Sequence, residues 1–271
     1  MSAVVIDKGV VHYEYLGRGQ PLIFIHGWLG SWRYWMSTMG DLSDAYRTYA
    51  LDLWGFGDTD KAQSRYTLSE YVQLVLAFLD ELGISRTPMI VGHSLGGLVA
   101  LNTALMRPEL ADRLAFVSLP LDRQHINTKS LVNGKGVPTG GLFKKPKEYE
   151  PAIEEIEKTD KQAIESSVSS LNGIDVRDKL ASLQVPALLV YGANDSIVTF
   201  SPGDDLPELN PEGSETLSVR TMLMSQCRHF PMLEESNTFN RLLRDFLSMD
   251  VSEPEVIHSL EFKEEWRRRM R

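Results

Sequence analysis

The feature that most constrains this chain is the pentapeptide GHSLG at residues 92–96, which stands between two apolar runs. Residues 88–92 have the pattern of a buried strand, and residues 95–106 have the pattern of a helix. The backbone must therefore turn sharply at Ser94, and the flanking glycines relieve crowding at that turn. Such a turn exposes the serine hydroxyl at the start of a helix, where negative charge is favoured.

Strand and helix patterns alternate along most of the remaining sequence. This alternation predicts an α/β fold with a mostly parallel central sheet of about eight strands and helices on both faces. The predicted strands are residues 4–6, 10–16, 21–25, 46–52, 88–92, 113–119, 186–192 and 216–223, and the predicted helices include 31–43, 67–81, 95–106 and 234–248.

Two local signals make sharper predictions. The first two strands are short and adjacent, and we expect Lys8-Gly9 to form the turn of a hairpin between them. Thr67, followed three residues later by Glu70, has the spacing of a capping box at the start of the helix that runs to Glu81.

Residues 120–184 interrupt the alternation, and we call them the insertion segment. Residues 125–146 are polar and rich in Gly, Pro, Lys and Asn, and two helical patterns follow at 148–158 and 160–172. The pattern contains no buried strand, which indicates an insertion between two core strands. We therefore predict a core formed by residues 1–119 and 185–250.

Residues 251–271 extend beyond the last predicted core helix. They are polar and end in EFKEEWRRRMR. We interpret them as a surface helix or a frayed tail. A docking segment that uses Trp266 and the arginines is the alternative.

A serine hydroxyl is a weak nucleophile near neutral pH and needs a neighbouring base. Of the six histidines, His229 follows the last predicted strand and precedes the last core helix. That position is at the carboxyl end of the sheet, where ligands bind in open α/β folds. We therefore expect His229 to be the base that activates Ser94.

The imidazole in turn needs a carboxylate that orients it. Asp195 directly follows the strand at 186–192, and the order Ser94, Asp195, His229 is the one expected for a nucleophile on such a turn. Asp122 follows the strand at 113–119 and remains a rival, because a carboxylate there could also reach the histidine.

An acyl-transfer site also needs two backbone N–H donors for the developing oxyanion. We expect one from Leu95, directly after the serine, and one from Trp28 in the loop after the strand at 21–25. Trp28, Leu29 and His93 are the predicted substrate contacts.

His26 and Gly27 are expected to shape the same loop rather than to react. The aromatic side chains nearby are either pocket lining or helix core, and an aromatic lining would suit an apolar acyl or aryl group. These neighbours are Trp32, Tyr34 and Trp35.

Five motifs occur in the order and spacing of the α/β-hydrolase superfamily, which this sequence resembles over nearly the whole core. They are HGW at 26–28, DLWGFGDTD at 52–60, GHSLGG at 92–97, VPALLVYGANDSIV at 185–198 and HFP at 229–231.

The resemblance implies a serine esterase-like member in which Ser94, Asp195 and His229 occupy the triad positions. It implies that the insertion segment is a cap over the active site and that Asp52 is a hydrogen-bonded loop anchor. Haloalkane dehalogenases and epoxide hydrolases of this superfamily have an aspartate at the position of Ser94. Cofactor-free perhydrolases often have a proline at the position of Leu29. The resemblance therefore favours ester hydrolysis.

These features predict a hydrolase that cleaves carboxylic esters of small or medium, largely apolar substrates through an acyl-enzyme. The predicted chemistry uses no metal and no organic cofactor. A C–C bond hydrolase, a lactonase or a hydroxynitrile lyase with the same triad is an alternative. A ligand receptor that retains the triad but turns over slowly is another.

Composition narrows the choice of partners and compartment. The formal net charge of -9 disfavours nucleic acid and anionic membranes as partners, because both carry negative charge. The chain has one cysteine, Cys227, and its first residues lack the pattern of a secretory signal. We expect a cytoplasmic protein that acts on a small-molecule ester, and the sequence leaves the oligomeric state open.

Overall fold

The computed structural model describes residues 2–28, 30–84, 88–131, 146–156, 158–201, 219–250, 257 and 259–262. Within these residues, eight strands form one sheet in the order β1-β2-β4-β3-β5-β6-β7-β8. The neighbours from β4 to β8 are parallel, and β1 and β2 join the sheet antiparallel. The prediction of a mostly parallel sheet of about eight strands is confirmed. The strands are β1 Ser2–Ile6, β2 Gly9–Leu16, β3 Gln20–Ile25, β4 Tyr46–Leu51, β5 Met89–His93, β6 Arg113–Val117, β7 Ala187–Gly192 and β8 Val219–Met224.

The central strands β5, β6 and β7 are buried along their whole length. Their sequences are nearly continuous apolar runs, because helices cover both faces of a parallel sheet. The edge strand β8 has partly exposed residues along its length. This difference explains why the central strands gave the clearest sequence pattern.

The direction of each crossover decides which face a helix covers. The chain moves one way across the sheet from β3 to β4, and the opposite way from β4 through β5 to β8. Right-handed crossovers therefore place α1 on one face and both α2 and α3 on the other. In agreement, α1 packs against α9, whereas α2 packs against α3. The helices are α1 Met36–Leu42, α2 Leu68–Glu81, α3 Leu95–Met106, α4 Thr128–Leu131, α5 Pro146–Ile156, α6 Lys161–Ser170, α7 Arg177–Ala181, α8 Pro231–Glu234 and α9 Ser236–Leu247, with 3-10 turns at Trp32–Trp35, Gln63–Arg65 and Pro108–Leu110.

None of the helices in the described part of the chain has the length and apolar character needed to cross a membrane.

At the start of α2, the Thr67 side chain accepts a hydrogen bond from the Glu70 N–H at 3.3 Å, which is the N-capping contact that the spacing predicted. The helix predicted at 31–43 is a 3-10 turn that continues directly into α1. The helix predicted at 234–248 is Ser236–Leu247, which follows a short separate helix at Pro231–Glu234.

The hairpin turn lies one residue earlier than predicted. Ile6 pairs with Gly9, so the two turn residues are Asp7 and Lys8, with φ of 46° and 69°. A two-residue hairpin turn with positive φ at both positions matches the twist of the flanking strands. Gly9 instead allows close packing, because a Cβ at this position would lie 2.8 Å from the Trp54 ring.

The insertion segment contributes helices α4 to α7 between β6 and β7. Its polar part at 132–145 lies outside the described residues. The described part docks on the core through several buried polar contacts. The Asp160 N–H donates to Gly55 O at 2.8 Å, and the Tyr66 hydroxyl donates to Asp160 Oδ2 at 2.9 Å.

A four-charge cluster joins the same segment to the core. Glu155, with a side chain only 1% exposed, accepts from Arg33 Nε at 2.7 Å and lies 3.0 Å from Lys158 Nζ. Asp58 binds the same two cations at 3.2 and 2.9 Å. These two cations lower the pKa of Asp58 even though burial by itself would raise it. The cluster is balanced in charge, which limits the cost of burying Glu155.

Part of the tail also packs on the core. Ile257 and Leu260 are buried, and Arg220 donates to Leu260 O at 3.2 Å. Trp266 and the terminal arginines lie outside the described residues.

Two glycine substitutions test the close packing of α3 on β3. A Cβ on Gly96 would lie 2.3 Å from Ile25 O, whereas a Cβ on Gly40 in α1 would meet nothing within 4 Å. Because two backbones cannot move apart cheaply, we expect Gly96→Ala to lower the free energy of unfolding by about 1–3 kcal/mol. Gly40→Ala, the matched control, should raise it by up to about 1 kcal/mol. Urea unfolding measures both, and equal effects would contradict this account of the packing.

Candidate active site

Ser94 lies between β5 and α3 in a backbone conformation that L-residues rarely adopt. Its φ is 53° and its ψ is -113°. The Ser94 N–H donates to Val117 O at 2.8 Å, and its carbonyl accepts from Gly97 N at 3.0 Å. A Cβ on Gly92 would lie 2.3 Å from Gly96 O, so the glycines are needed to close the turn. Such strain persists because the surrounding structure enforces it, and it is typical of functional positions.

His229 and Asp195 are hydrogen-bonded to each other in the interior. His229 Nδ1 lies 2.7 Å from Asp195 Oδ2, and both side chains are almost completely buried. The other carboxylate oxygen, Oδ1, accepts from Ile197 N at 2.8 Å and Val198 N at 3.0 Å. A carboxylate held in this way can only accept, so Nδ1 carries the proton and Nε2 is the basic nitrogen.

The hydroxyl of Ser94 is buried and makes no hydrogen bond to the described residues. The imidazole of the preceding residue, His93, lies with its ring centroid 4.6 Å from that of His229. The ring of the base therefore packs against the residue that directly precedes the serine. Contacts between a nucleophile and its base are often loose before substrate binds.

Asp122, the rival acid, has other partners. Its Oδ1 accepts from His125 Nδ1 at 2.7 Å, and its Oδ2 lies 2.9 Å from Arg177 Nη2. Burial alone would raise the pKa of Asp122, but the hydrogen bonds from His125 and Arg177 lower it to about 2. The carboxylate that contacts His229 is therefore Asp195.

The two predicted oxyanion donors both lie beside Ser94. A Cβ on Gly27 would be 2.9 Å from Ser94 Cβ, so the loop that contains Trp28 touches the serine. Leu95 is the first residue of α3, where backbone N–H groups have no acceptor within the helix. The indole of Trp28 is buried and donates to Ser167 Oγ of the insertion segment at 2.8 Å. The donor role of both N–H groups stays a prediction.

His93 has a different position from the one expected of a substrate contact. It is completely buried, and its Nδ1 lies 3.0 Å from the Tyr34 hydroxyl while its Nε2 lies 2.8 Å from His229 O. Because the His229 carbonyl can only accept, Nε2 carries the proton. The Tyr34 hydroxyl accepts from Gly27 N at 2.6 Å and donates to His93 Nδ1. Both ring nitrogens are thus used inside the protein, which corrects the predicted role. Leu29, another of the three predicted substrate contacts, lies outside the described residues.

His26 also binds only the protein. Its Nε2 accepts from Leu53 N at 2.9 Å, and its Nδ1 donates to Gly27 O at 2.8 Å. These bonds hold the loop that carries Trp28, as the sequence suggested.

Asp52 is a buried anchor for the loop after β4. It accepts from Trp32 N at 2.8 Å, Asp58 N at 3.0 Å and His12 Nδ1 at 3.1 Å. The ligand atoms of His12, Asp52 and Asp58 lie within 4.8 Å of one another, which is the spacing of a metal site. Asp52 is already saturated by N–H donors, and Asp58 is paired with two side-chain cations. This donor set does not fit a metal ion.

Sequence reasoning missed two residues that hold the site. Glu234 accepts from the N–H groups of Arg228 and Phe230, on either side of His229, at 2.5 and 3.2 Å. Tyr34 connects Gly27 to His93. Glu234 is five residues after His229 and is the last residue of α8, which is a weak local signal. Tyr34 gave no signal beyond its aromatic neighbours, because its partner is 59 residues away.

Comparison with known proteins agrees with the fold that holds this site. Residues 20–141 match the family model described as alpha/beta hydrolase fold. The solved meta-cleavage product hydrolase from Pseudomonas fluorescens IP01 superposes with a TM-score of 0.73 at 24% identity, covering 91% of this chain and 97% of that one. This is the α/β-hydrolase fold. The fold that the sequence resemblance implied is therefore confirmed.

Two further proteins that are similar to this chain are an esterase and a lactonase by name. A pimeloyl-[acyl-carrier protein] methyl ester esterase of Vibrio campbellii is 24% identical over 260 residues, which is 87% of this chain and 98% of the esterase. The enol-lactonase from Burkholderia xenovorans LB400 superposes with a TM-score of 0.73 at 20% identity, covering 92% of this chain and all of that one (100%).

Buried neutral histidines make stability depend on pH. Burial lowers the pKa of His26 below 6.5, and burial with the nearby His229 lowers that of His93 much further. Below pH 6.5 the unfolded chain therefore binds protons that the folded chain does not. We expect the free energy of unfolding to fall with pH, by up to about 1.4 kcal/mol per pH unit for each such histidine.

The measurement is urea unfolding at pH 6.5 and 5.5. Burial alone would lower the pKa of His12, but its contacts with Asp52 outweigh burial and raise that pKa. The stability that protonated His12 gives to the fold is therefore present below pH 6.5 and is not lost as the pH falls. His93→Gln should give a shallower slope than the wild type. An unchanged slope would contradict the assignment of a neutral His93.

Proposed function

We propose that this α/β-hydrolase is a serine hydrolase that cleaves carboxylic esters through an acyl-enzyme. The observation that carries the proposal is the buried 2.7 Å hydrogen bond between His229 and Asp195, formed beside a serine held in a strained turn. A positioned serine, base and carboxylate are the arrangement that nucleophilic acyl transfer requires.

In the first half-reaction, His229 Nε2 takes the proton of Ser94 Oγ as the oxygen attacks the ester carbonyl. Asp195 holds the imidazole in its Nδ1–H tautomer and stabilises the imidazolium that forms. The N–H groups of Trp28 and Leu95 stabilise the oxyanion. His229 then protonates the leaving alcohol, and the acyl group stays on Ser94. In the second half, His229 activates a water that hydrolyses the acyl-enzyme and regenerates the hydroxyl. No metal or organic cofactor takes part in these steps.

The proposed substrates are small or medium esters with a largely apolar acyl group. Aromatic side chains are concentrated at the site, with Phe230 directly after the base and 5.0 Å from the His93 ring. The similar protein of Vibrio campbellii is a methyl ester esterase by name, and that of Burkholderia xenovorans is an enol-lactonase; a lactone is a cyclic ester. A lactone is therefore the first alternative to test beside open-chain esters.

The domain division is part of the same proposal. Residues 1–119 and 185–250 form the core, residues 120–184 act as a cap, and residues 251–271 form a tail. A water molecule does not reach Ser94 Oγ, and the insertion segment contacts Trp28 through Ser167. These observations support a cap that must move for substrate to enter.

The proposed partner is a small-molecule ester, and the proposed location of the protein is the cytoplasm. The net charge of -9 supports a role without nucleic acid or anionic membranes, and the one cysteine suits a reducing compartment.

Replacing the nucleophile gives the first test of function. We expect wild-type protein to hydrolyse short and medium p-nitrophenyl esters with multiple turnovers, and Ser94→Ala to lose at least about 10⁴-fold in kcat. The exposed Ser182→Ala is the matched control and should retain wild-type activity. A wild type that binds esters and lactones but releases less than one equivalent of product would favour the receptor alternative over the enzyme.

The two candidate acids are separated by a pair of matched substitutions. Asp195→Asn should lower kcat by about 10⁴-fold, because the amide favours the wrong imidazole tautomer. Asp122→Asn should leave kcat within about twofold and mainly destabilise the contact with Arg177. Steady-state kinetics on one p-nitrophenyl ester, with the folded state checked by circular dichroism, measure both. Comparable losses in the two variants would contradict the assignment of Asp195.

A further inference from the structure

The segment that carries the base is held from both sides by one carboxylate. Glu234, in α8, accepts from Arg228 N at 2.5 Å and from Phe230 N at 3.2 Å. These are the residues immediately before and after His229. The side chain of Glu234 therefore fixes the backbone from which the imidazole extends.

One residue of the insertion segment contacts both flanks of the base. Tyr149, in α5, is 1% exposed, and its hydroxyl accepts from Arg228 Nη2 at 3.0 Å. Its ring lies edge-on to that of Phe230, with the centroids 6.0 Å apart. Burial raises the pKa of Tyr149, and so does the interaction of its hydroxyl with Glu234. Tyr149 thus contacts both residues that flank the base in the chain and interacts with the carboxylate that binds their N–H groups.

The burial of the serine means that part of the structure must move during turnover. Ser94 Oγ is not accessible to water, so an ester reaches it only after part of the enclosing structure moves. The insertion segment joins the core by side-chain contacts and loop hydrogen bonds, and its described residues contribute no strand to the sheet. Movement of α5 would withdraw the hydroxyl of Tyr149 from Arg228 and Glu234.

We infer that Tyr149 is a positioning residue that makes the placement of His229 depend on closure of the insertion segment. With the segment closed, Tyr149 and Glu234 hold the base against Asp195. With the segment open, Glu234 and Arg228 lose their shared partner and the His229 backbone gains freedom. The base is then fully placed only after substrate is enclosed, which limits its reaction with bulk water. This inference rests on the proposed function, because it concerns the same triad.

The test compares two buried tyrosines that both join the insertion segment to the core. Tyr149→Phe removes the hydroxyl that contacts the base segment. Tyr66→Phe, the matched control, removes a hydroxyl that donates to Asp160 Oδ2 at 2.9 Å, away from the base. Glu234→Gln alters the same contact from the other side and should have the same effects as Tyr149→Phe. It replaces Tyr149→Phe in the test if the Tyr149→Phe protein folds poorly.

The first measurement needs no substrate. A proton held between His229 Nδ1 and Asp195 at 2.7 Å gives a far-downfield ¹H NMR signal, which His229→Ala identifies. We expect this signal to broaden or shift in Tyr149→Phe and to stay unchanged in Tyr66→Phe. An unchanged signal in both Tyr149→Phe and Glu234→Gln would overturn the inference, whether or not the protein hydrolyses esters.

The second measurement is steady-state kinetics on the ester that wild type turns over best. Misplacement of the base should lower kcat by about tenfold in Tyr149→Phe with KM within about twofold. Loosening of the segment alone, in Tyr66→Phe, should change KM more than kcat. Equal effects of the two substitutions on kcat would overturn the inference. Failure of wild type to turn over any ester would instead count against the proposed function, while the NMR comparison still decides the role of Tyr149.

Discussion

The close approach of three backbone segments at Ser94 is the constraint on which the rest of the site depends. The loop after β3, the turn after β5 and the first residues of α3 are so near one another that a Cβ on Gly27, Gly92 or Gly96 would overlap a neighbour. This packing keeps Ser94 at a positive φ, and it brings the loop that contains Trp28 against the serine. The strain at one residue is maintained because relieving it would separate α3 from the sheet.

A buried hydrogen-bond network then ties the other half of the site to this turn. The bonds run from Gly27 N–H through the Tyr34 hydroxyl to His93, and from His93 to the carbonyl of His229. Every donor in this series has one acceptor, so the series fixes the tautomer of His93 as well as its position. The loop that carries Trp28 and the segment that carries the base are therefore parts of one unit. The interior has a low effective dielectric, which makes such bonds costly to break one at a time.

The insertion segment is attached in a different way. It joins the core through Asp160, Ser167 and the balanced charge cluster around Glu155, and it contributes no strand to the sheet among the described residues. Contacts of this kind can be made and broken without disturbing the sheet ladder. The enclosed state of Ser94 and this attachment are compatible with a segment that opens and closes over a rigid core.

The sequence by itself determined the α/β architecture, the strand–turn–helix at Ser94 and the chain order of Asp195 and His229. These are local properties, since periodicity, glycine placement and turn residues are encoded within a few neighbouring positions. Small boundary errors, such as the hairpin turn at Asp7-Lys8, arose where a glycine served packing instead of the turn. Only the tertiary structure decided that His93 faces the protein, that Asp122 pairs with Arg177, and that Glu234 and Tyr149 hold the base. The partners of these residues are chosen by the direction of side chains on separate elements, as with His93 and His229, which are 136 residues apart. A sequence specifies that direction only through the folded packing of the whole chain.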